Sequence, residues 1–579
     1  MFGGVLGLKN IPLFKVRTIH NLKDMINSSV ENYGDKAAFL VKRKNIEGYV
    51  PVSYKQFKKD IDALGTALSS LGLKGKRIAL IGENRYEWAV TYLSVVNGLG
   101  VIVPLDKELP SNEIESLLVR SKADAIVFSS TNVEQIKAFS NDLKSVKYYI
   151  NMDLNQGTEN ILSFNSLIEK GNQLLEQGDR TFINAEIDEE VMNMLLFTSG
   201  TTETSKAVML SHRNIAKNLM AMCSMTYIDD KDIFLSVLPM HHTYECTCGF
   251  LCPMYRGSTV AFCEGLRHIP KNLQESKATM LLGVPLIFEA MYKRIWDQAA
   301  KNGIDGKLRF AIKLSNFLKI FGIDITKKLF AKVHENFGNP RLYISGAAGI
   351  EPSVAKGFRD LGILFLQGYG LTECAPIAAL NRNIDYKDDA AGLPLPGLEV
   401  IIDSPDEEGI GEILVKGPNV MLGYYENEEA TKKAFQDGWY RTGDLGFIDR
   451  DKFVHITGRK KNVIVTKNGK NIFPEEIESL LNKSKYIKES MVYGQADEES
   501  GETLVAAVIV PDMDVISEEY KDKQLTEEEI RNIIQQEIKA VNKSLTLYKY
   551  IRNFQIRENE FIKTTTKKIK RYLEKNPGK

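Results

Sequence analysis

At 579 residues the chain is too long for a single hydrophobic core, so two or more domains are expected. With 43% hydrophobic and 26% charged residues it has a globular composition, and 75 basic residues against 75 acidic argue against a duty on nucleic acid, where a strongly basic face supplies most of the affinity. Six cysteines in so long a chain make no disulfide framework and fit a reducing compartment.

The first 17 residues begin apolar, but Lys9 and Asn10 interrupt the run and no small-residue cleavage site follows. This is not the pattern of a signal peptide, and no stretch approaches the roughly 20 apolar residues that span a bilayer, so a cytoplasmic location is expected. From residue 77 the pattern predicts strand (78–81), helix (88–96), strand (101–103), helix (112–120) and strand (125–128). Such alternation implies βαβ units in a parallel sheet. It returns with strands at 259–263, 280–284, 342–345 and 364–366 and a helix at 285–301. Beyond about Gly392 the strands shorten and turns multiply, with strands at 399–402, 411–416 and 454–456. A polar run at 457–462 then precedes a strand at 463–465, a helix at 474–481, strands at 490–493 and 504–510, a charged helix at 526–541 and a basic tail. The expected fold is α/β. A large domain, residues 1–458, carries parallel-rich sheets, helices and a β subdomain, and a small α+β domain, 459–579, follows.

The most informative stretch is 197–212, Phe-Thr-Ser-Gly-Thr-Thr-Glu-Thr-Ser-Lys-Ala-Val-Met-Leu-Ser-His. Two apolar runs, 194–197 and 207–210, read as strands, and Ser211 reads as the N-cap of a helix carrying Ile215, Leu219 and Met222. Between the strands Thr198, Ser199, Thr201 and Thr202 supply donors, Gly200 admits close backbone approach, and Lys206 adds a positive charge. That chemistry suits phosphate oxygens. A Walker loop is the rival, but Ser205 replaces its second glycine, Ala207 replaces its metal-binding hydroxyl, and a strand follows the lysine where a helix should open.

Other stretches add to this one. Tyr369 offers a flat face for a base, Thr372 a hydroxyl for phosphate and Glu373 a carboxylate for Mg²⁺, all just after the strand at 364–366. Asp444, after a turn, is suited to accept hydrogen bonds from a ribose diol, and Arg459 can reach the same sugar or a phosphate. His241, His242, Cys246, Cys248, Cys252, Cys263 and His268 raise the question of a metal. The C-x-C-x₃-C spacing is not that of a common zinc site, and Gly249, Phe250, Leu251 and Met254 read as core. The lysine-rich segment 563–571 reads in isolation as a solvated basic tail.

In combination and in order, these motifs, with Leu238-Pro239-Met240-His241-His242, Ser345-Gly346-Ala347-Ala348 and residues 458–478, resemble the adenylate-forming superfamily of acyl-CoA synthetases, luciferases and adenylation domains over about residues 35 to 573. Gly-Tyr-Gly-Leu-Thr-Glu-Cys and Thr-Thr-Thr-Lys-Lys-Ile-Lys-Arg look most like bacterial long-chain fatty acid CoA ligases. The resemblance implies ATP, Mg²⁺ and coenzyme A, and a fatty acid converted to acyl-AMP and then to acyl-CoA. It implies that Lys568 bridges carboxylate and phosphate, with Lys570 the competitor because Lys567 stands where the family has glycine. It further implies that Lys206 grips phosphate and that Glu373 and Thr201 hold Mg²⁺. Asp444 and Arg459 would bind ribose, Gly346, Ala347 and Tyr369 would line the adenine, Gly368 would belong to the same nucleotide site, and Thr372 would meet phosphate. His242 would border the acyl pocket, Lys461 would be the hinge of the small domain, and Gly469 would face the pantetheine channel.

The loop departs from the family pattern at Glu203, Ser205 and Ala207, which stand for glycine, proline and glycine. If position 203 needs φ > 0, a side chain there costs about 1–2 kcal/mol. Weaker ATP binding is expected, without loss of activity. The alternatives are a family member that loads a carrier protein or takes an aryl or amino acid, and an inactive acyl or nucleotide sensor. The apolar start and the basic tail are the segments able to touch a lipid surface, and no amphipathic anchor stands out in the sequence.

Overall fold

The computed structural model describes residues 12–140, 143–198, 205–466, 470–497, 503–520, 525–564 and 569–574. Two large sheets dominate it. The eight-stranded sheet runs in the order Gly423–Tyr424, Lys206–Ser211, Met192–Thr198, Gly100–Leu105, Lys76–Ile81, Ala125–Phe128, Tyr148–Asn151 and Leu162–Ser163. Its strands are parallel from Met192–Thr198 onward, while the Lys206–Ser211 hairpin strand and the short Gly423–Tyr424 strand are antiparallel. The nine-stranded sheet centres on Leu364–Gly370, Leu342–Ser345, Met280–Gly283, Ile233–Ser236 and Thr259–Phe262, all parallel.

Both sheets are covered on both faces, which is why their strands are continuous apolar runs rather than alternations. Ile78 and Leu80 join the central core, whereas Ala79 and Ile81 join the core on the opposite face. In the other sheet Leu342 and Ile344 turn to the central core and Tyr343 to a third cluster. The central core therefore lies between the sheets, together with helices Tyr54–Ser70, Tyr86–Ser94 and His212–Met225. Phe39, Phe57, Trp88 and Phe250 anchor it, each fully buried or nearly so. Each such side chain contributes about 1.5–3 kcal/mol by leaving water.

A third sheet of five strands is built around Gly411–Lys416 and Trp439–Ile448, with Val454–Arg459 paired to the latter. After residue 463 a separate core forms from Ile464, Ile472, Ile477, Leu481, Val492, Val505 and Ile534 among others. It joins helix Pro474–Leu481, the three-stranded sheet Ile487–Ala496, Thr503–Pro511 and Ile551–Ile556, and helix Glu527–Ser544. That last helix is opened by a reciprocal capping box between Thr526 and Glu529. Among the described residues no helix is long and apolar enough to cross a membrane.

Several predicted elements begin and end where the sequence places them: Ala125–Phe128, Pro285–Lys301, Leu342–Ser345, Gly411–Lys416 and Pro474–Leu481. The two helices open on a proline, which fits the first turn because its missing N–H has no partner there in any case. Three expectations need correction. The strand expected to stop at Leu366 continues to Gly370, because Gly368–Gly370 pair with Ile377–Leu380. Asp444 sits within a strand rather than after a turn, and residues 457–459 extend the Val454–Arg459 strand beside it, so only Lys460–Asn462 remain as a connecting turn. The segment at 563–571 is not simply a solvated tail, since Lys563 pairs with Glu489 and Arg571 with Glu478.

Candidate active site

The hairpin Met192–Thr198 and Lys206–Ser211 delivers two of the expected groups to one cleft of about 3350 Å³. The Thr198 hydroxyl donates to the Lys206 carbonyl at 3.3 Å. The Lys206 ammonium stands 4.6 Å from the centre of the Tyr424 ring, and the Tyr424 hydroxyl donates to Glu373 Oε1 at 3.0 Å. Lys206 and Glu373 thus face the same tyrosine from two sides. Ser199, Gly200, Thr201, Thr202 and Glu203, like Gly469 and Lys568, lie outside the described residues. Ser205, at the loop's edge, is gripped by Arg120, whose Nη1 donates to its hydroxyl at 2.9 Å and whose guanidinium lies 5.2 Å from the Phe197 ring.

Across the cleft Asp444 is almost fully buried. Tyr369 donates to its Oδ2 at 2.6 Å, and Arg459 Nε lies 2.7 Å from its Oδ1, a pair created by the register that sets Asp444 opposite Arg459. The Thr442 hydroxyl accepts from the Asp444 N–H at 3.0 Å and fixes the strand locally. Burial and the adjacent carboxylate push the Tyr369 phenol well above its ordinary range, so it remains a donor. A carboxylate has about four lone-pair sites, so two remain for further donors.

The wall between these groups is made of small residues. A Cβ on Gly346 would come within 2.8 Å of Tyr244 Cζ, a ring whose hydroxyl donates to the Ile344 carbonyl at 3.1 Å. Ala347 follows at φ +71°, and Gly368 and Thr372 complete that side of the lining. His242 is half-buried at the edge, its ring 4.2 Å from that of His241. Burial drives the His241 imidazole down to about 3, leaving it neutral. The same cleft is also lined by the apolar side chains Met222, Phe234, Cys248, Cys252, Leu282 and Leu380. Cys246, Cys248 and Cys252 belong to the central core, and burial raises the Cys246 thiol to about 12. Among the described residues no group of three or more His, Cys, Asp or Glu side chains is placed to hold a metal. Glu373, joined to Lys206 through Tyr424, lines the cleft with one carboxylate, which fits a cation sharing its remaining ligands with phosphate and water.

Sequence reasoning missed several residues that shape the cleft. Tyr424 links Lys206 to Glu373, and Arg120 holds Ser205. Glu412 gathers Arg441, Lys460 at 2.9 Å and the Gly443 N–H at 3.2 Å; burial would raise its carboxyl, but Arg441 and Lys460 hold it below the usual range. Under the His242 loop, Asn84 donates to the Leu238 carbonyl at 2.6 Å and accepts from the Met240 N–H at 3.0 Å. Beside it the Ser236 hydroxyl donates to Glu245 at 2.6 Å. The C-terminal segment closes one side of the cleft. Lys483 reaches Glu351 at 3.1 Å, and Lys570 is part of the lining.

This arrangement has known counterparts. The model of AMP-binding enzymes matches residues 26–425, and that of the AMP-binding enzyme C-terminal domain matches 476–568. A long-chain-fatty-acid–CoA ligase, FadD15, of Mycobacterium bovis is 26% identical over 582 residues, covering 93% of each chain. A chloroplastic long-chain-fatty-acid–[acyl-carrier-protein] ligase of Arabidopsis thaliana is 25% identical over 587 residues, covering 89% of this chain and 79% of that one. The crystal structure of an anthranilate CoA ligase in complex with anthranoyl-AMP shares the fold, with a TM-score of 0.76, 20% identity and 98% of each chain covered. The two family matches, over 26–425 and 476–568, make this an adenylate-forming ligase. The chain belongs to the AMP-binding enzyme family, the adenylate-forming superfamily of acyl-CoA and acyl-carrier-protein ligases, and it is most like bacterial long-chain fatty acid CoA ligases.

Proposed function

We propose that this protein is an ATP-dependent ligase that joins a fatty acid, in the long-chain range, to coenzyme A in the cytoplasm. The carboxylate oxygen attacks the α-phosphorus of ATP and pyrophosphate leaves; the CoA thiolate then attacks the acyl carbon of acyl-AMP and AMP leaves. The observation that supports this reading is the set of apolar side chains in the cleft lining, Met222, Phe234, Cys248, Cys252, Leu282 and Leu380, which offers hydrocarbon-compatible walls beside the polar groups.

Step one needs little covalent chemistry from the protein, so alignment and charge stabilisation carry the rate. Lys206 and Thr198, with Ser199, Gly200, Thr201 and Thr202, would hold the departing pyrophosphate. Asp444 and Arg459 would take the ribose, Gly346, Ala347, Gly368 and Tyr369 the adenine, and Thr372 the α-phosphate. Glu373, with Thr201, would hold Mg²⁺, which when bound neutralises phosphate charge. His242 would border the acyl pocket. Lys568 would bridge carboxylate and phosphate in the first step, and Gly469 would leave room for pantetheine in the second.

The two steps share one cleft if residues 459–579 turn as a unit against 1–458 about Lys461. The separate core beyond residue 463 and the solvent-facing Lys483–Glu351 pair support such a division. A second reading, transfer of the acyl group to a carrier protein, is favoured by the name of the Arabidopsis relative. The test is release of AMP and pyrophosphate across a panel of carboxylic acids, with and without CoA. Thioester formed from free CoA and a long-chain acid is the expected result. Product only with a carrier protein would select the second reading, and no release with any acid or either acceptor would leave an inactive sensor.

A further inference from the structure

Helix Asp305–Ile320, absent from the sequence reading, has apolar residues on two opposite faces. One face is used: Leu308, Ala311 and Ile312 pack on the core beneath, Ser315 is buried, and Asn316 donates to Asp360 at 3.0 Å. The other face is not. Phe310, Leu314, Phe317 and Phe321 recur at the spacing of a single helical stripe, and the three phenylalanines are 67%, 57% and 65% exposed. Ile320, at 78%, and Ile323, at 50%, extend the patch. Contiguous exposed apolar surface of this kind marks an interaction site.

The charge around it narrows the occupant. Between residues 301 and 332 eight lysines and arginines stand against Asp305 and Asp324 alone, in a chain whose formal net charge is zero. Lys307, Arg309 and Lys313 on this helix, and Lys327 and Lys328 shortly after it, are exposed. A second copy of the chain meeting this face across a two-fold axis would set the same cations against each other. An anionic bilayer satisfies both features, with rings entering the acyl boundary and lysines meeting the headgroups. We propose that this face docks the protein peripherally on an anionic lipid bilayer. The preceding helix Pro285–Lys301 gives Leu286, Tyr292 and Lys293 to the cleft lining, so the proposed docking helix is next in the chain to one that lines the cleft.

Sedimentation of the full chain with phosphatidylcholine vesicles, with and without phosphatidylglycerol, tests this without any assay of activity, so its outcome is independent of the ligase reading. Binding to the phosphatidylglycerol vesicles, weakened by salt, is expected. Phe317→Glu with Phe321→Glu should lower the partition coefficient by about a hundredfold, roughly tenfold per ring. Lys313→Glu or Lys328→Glu should each lower it about fivefold or more. Phe310→Ser, which changes an exposed side chain only, should weaken binding while the melting temperature stays that of the wild type. Wild-type protein left in the supernatant, equal binding to neutral vesicles, or undiminished binding by the Phe317 and Phe321 variant overturns the proposal. So does a lipid-free dimer in sedimentation velocity that the same variant dissociates, which would assign the face to a second copy.

Discussion

The Tyr369 hydroxyl donates to Asp444 at 2.6 Å from a strand 75 residues away in sequence, and this bond joins a strand of the nine-stranded sheet to one of the five-stranded sheet at the cleft. Arg459 holds the other carboxylate oxygen at 2.7 Å, so Asp444 is oriented before any ligand arrives. If it binds the ribose diol, the contact is the same in ground and transition states, and its loss should raise KM for ATP with little effect on kcat. Asp444→Asn removes a charge-assisted hydrogen bond worth about 1.5–3 kcal/mol, roughly a tenfold to hundredfold rise in KM. Tyr369→Phe should cost less, because Arg459 still orients the carboxylate. A fall in kcat at unchanged KM would remove the ribose role.

Lys206 and Glu373 are coupled through Tyr424, which contacts both. A lysine that stabilises the leaving pyrophosphate acts only in the first step. Lys206→Ala should slow acid-dependent pyrophosphate release about a hundredfold or more, the scale of losing one transition-state donor. Conversion of supplied acyl-AMP to thioester should change little. Glu373→Gln should move the Mg²⁺ titration of the first step to higher concentration; an unshifted titration would take the metal away from Glu373.

The two half-reactions also separate at residues the family resemblance singles out. Lys568→Ala should abolish pyrophosphate release while supplied acyl-AMP still gives thioester, and Gly469→Leu should do the reverse. Pyrophosphate release surviving in Lys568→Ala would move the role to Lys570, which lines the cleft. Equal loss of both steps in Gly469→Leu would remove the pantetheine-channel role.

Much of this site was legible because its parts are short and locally encoded. The apolar runs flanking the hydroxyl-rich loop form the expected strands, paired with each other as a hairpin, and Ser211 caps the next helix with a reciprocal bond to Asn214. What escaped was held by contacts between distant segments. Arg120 is 85 residues from Ser205, and Tyr424 is 51 from Glu373, so no local spacing could announce either pair. The extension of the 364–370 strand depends on its antiparallel partner Ile377–Leu380, which Gly368, Tyr369 and Gly370 do not advertise. Helix Asp305–Ile320 escaped for a different reason. With apolar residues on both its inner and outer faces it lacks the contrast that makes an amphipathic period visible.

His212, directly after the hairpin, makes stability depend on acid. It is fully buried, its Nδ1 accepts from the Leu22 N–H at 3.1 Å, and its Nε2 donates to the Val96 carbonyl at 2.9 Å, so the neutral ring satisfies both partners. Burial holds it at about 4 against an ordinary value of 6.5. Between those values the unfolded chain takes up a proton that the native ring refuses. Stability from this group is therefore present above about pH 6.5 and falls as the pH drops toward 4, by at most about 1.4 kcal/mol per pH unit. His241, lowered in the same way to about 3, adds to the slope. Urea unfolding at pH 7.5, 6 and 5 should show His212→Asn less stable than wild type at pH 7.5, through lost packing and hydrogen bonding, with a shallower loss on acidification. Parallel pH dependence in the two proteins would mean that the native state protonates His212 as readily as the unfolded chain does, and the neutral, doubly bonded ring would have to be given up.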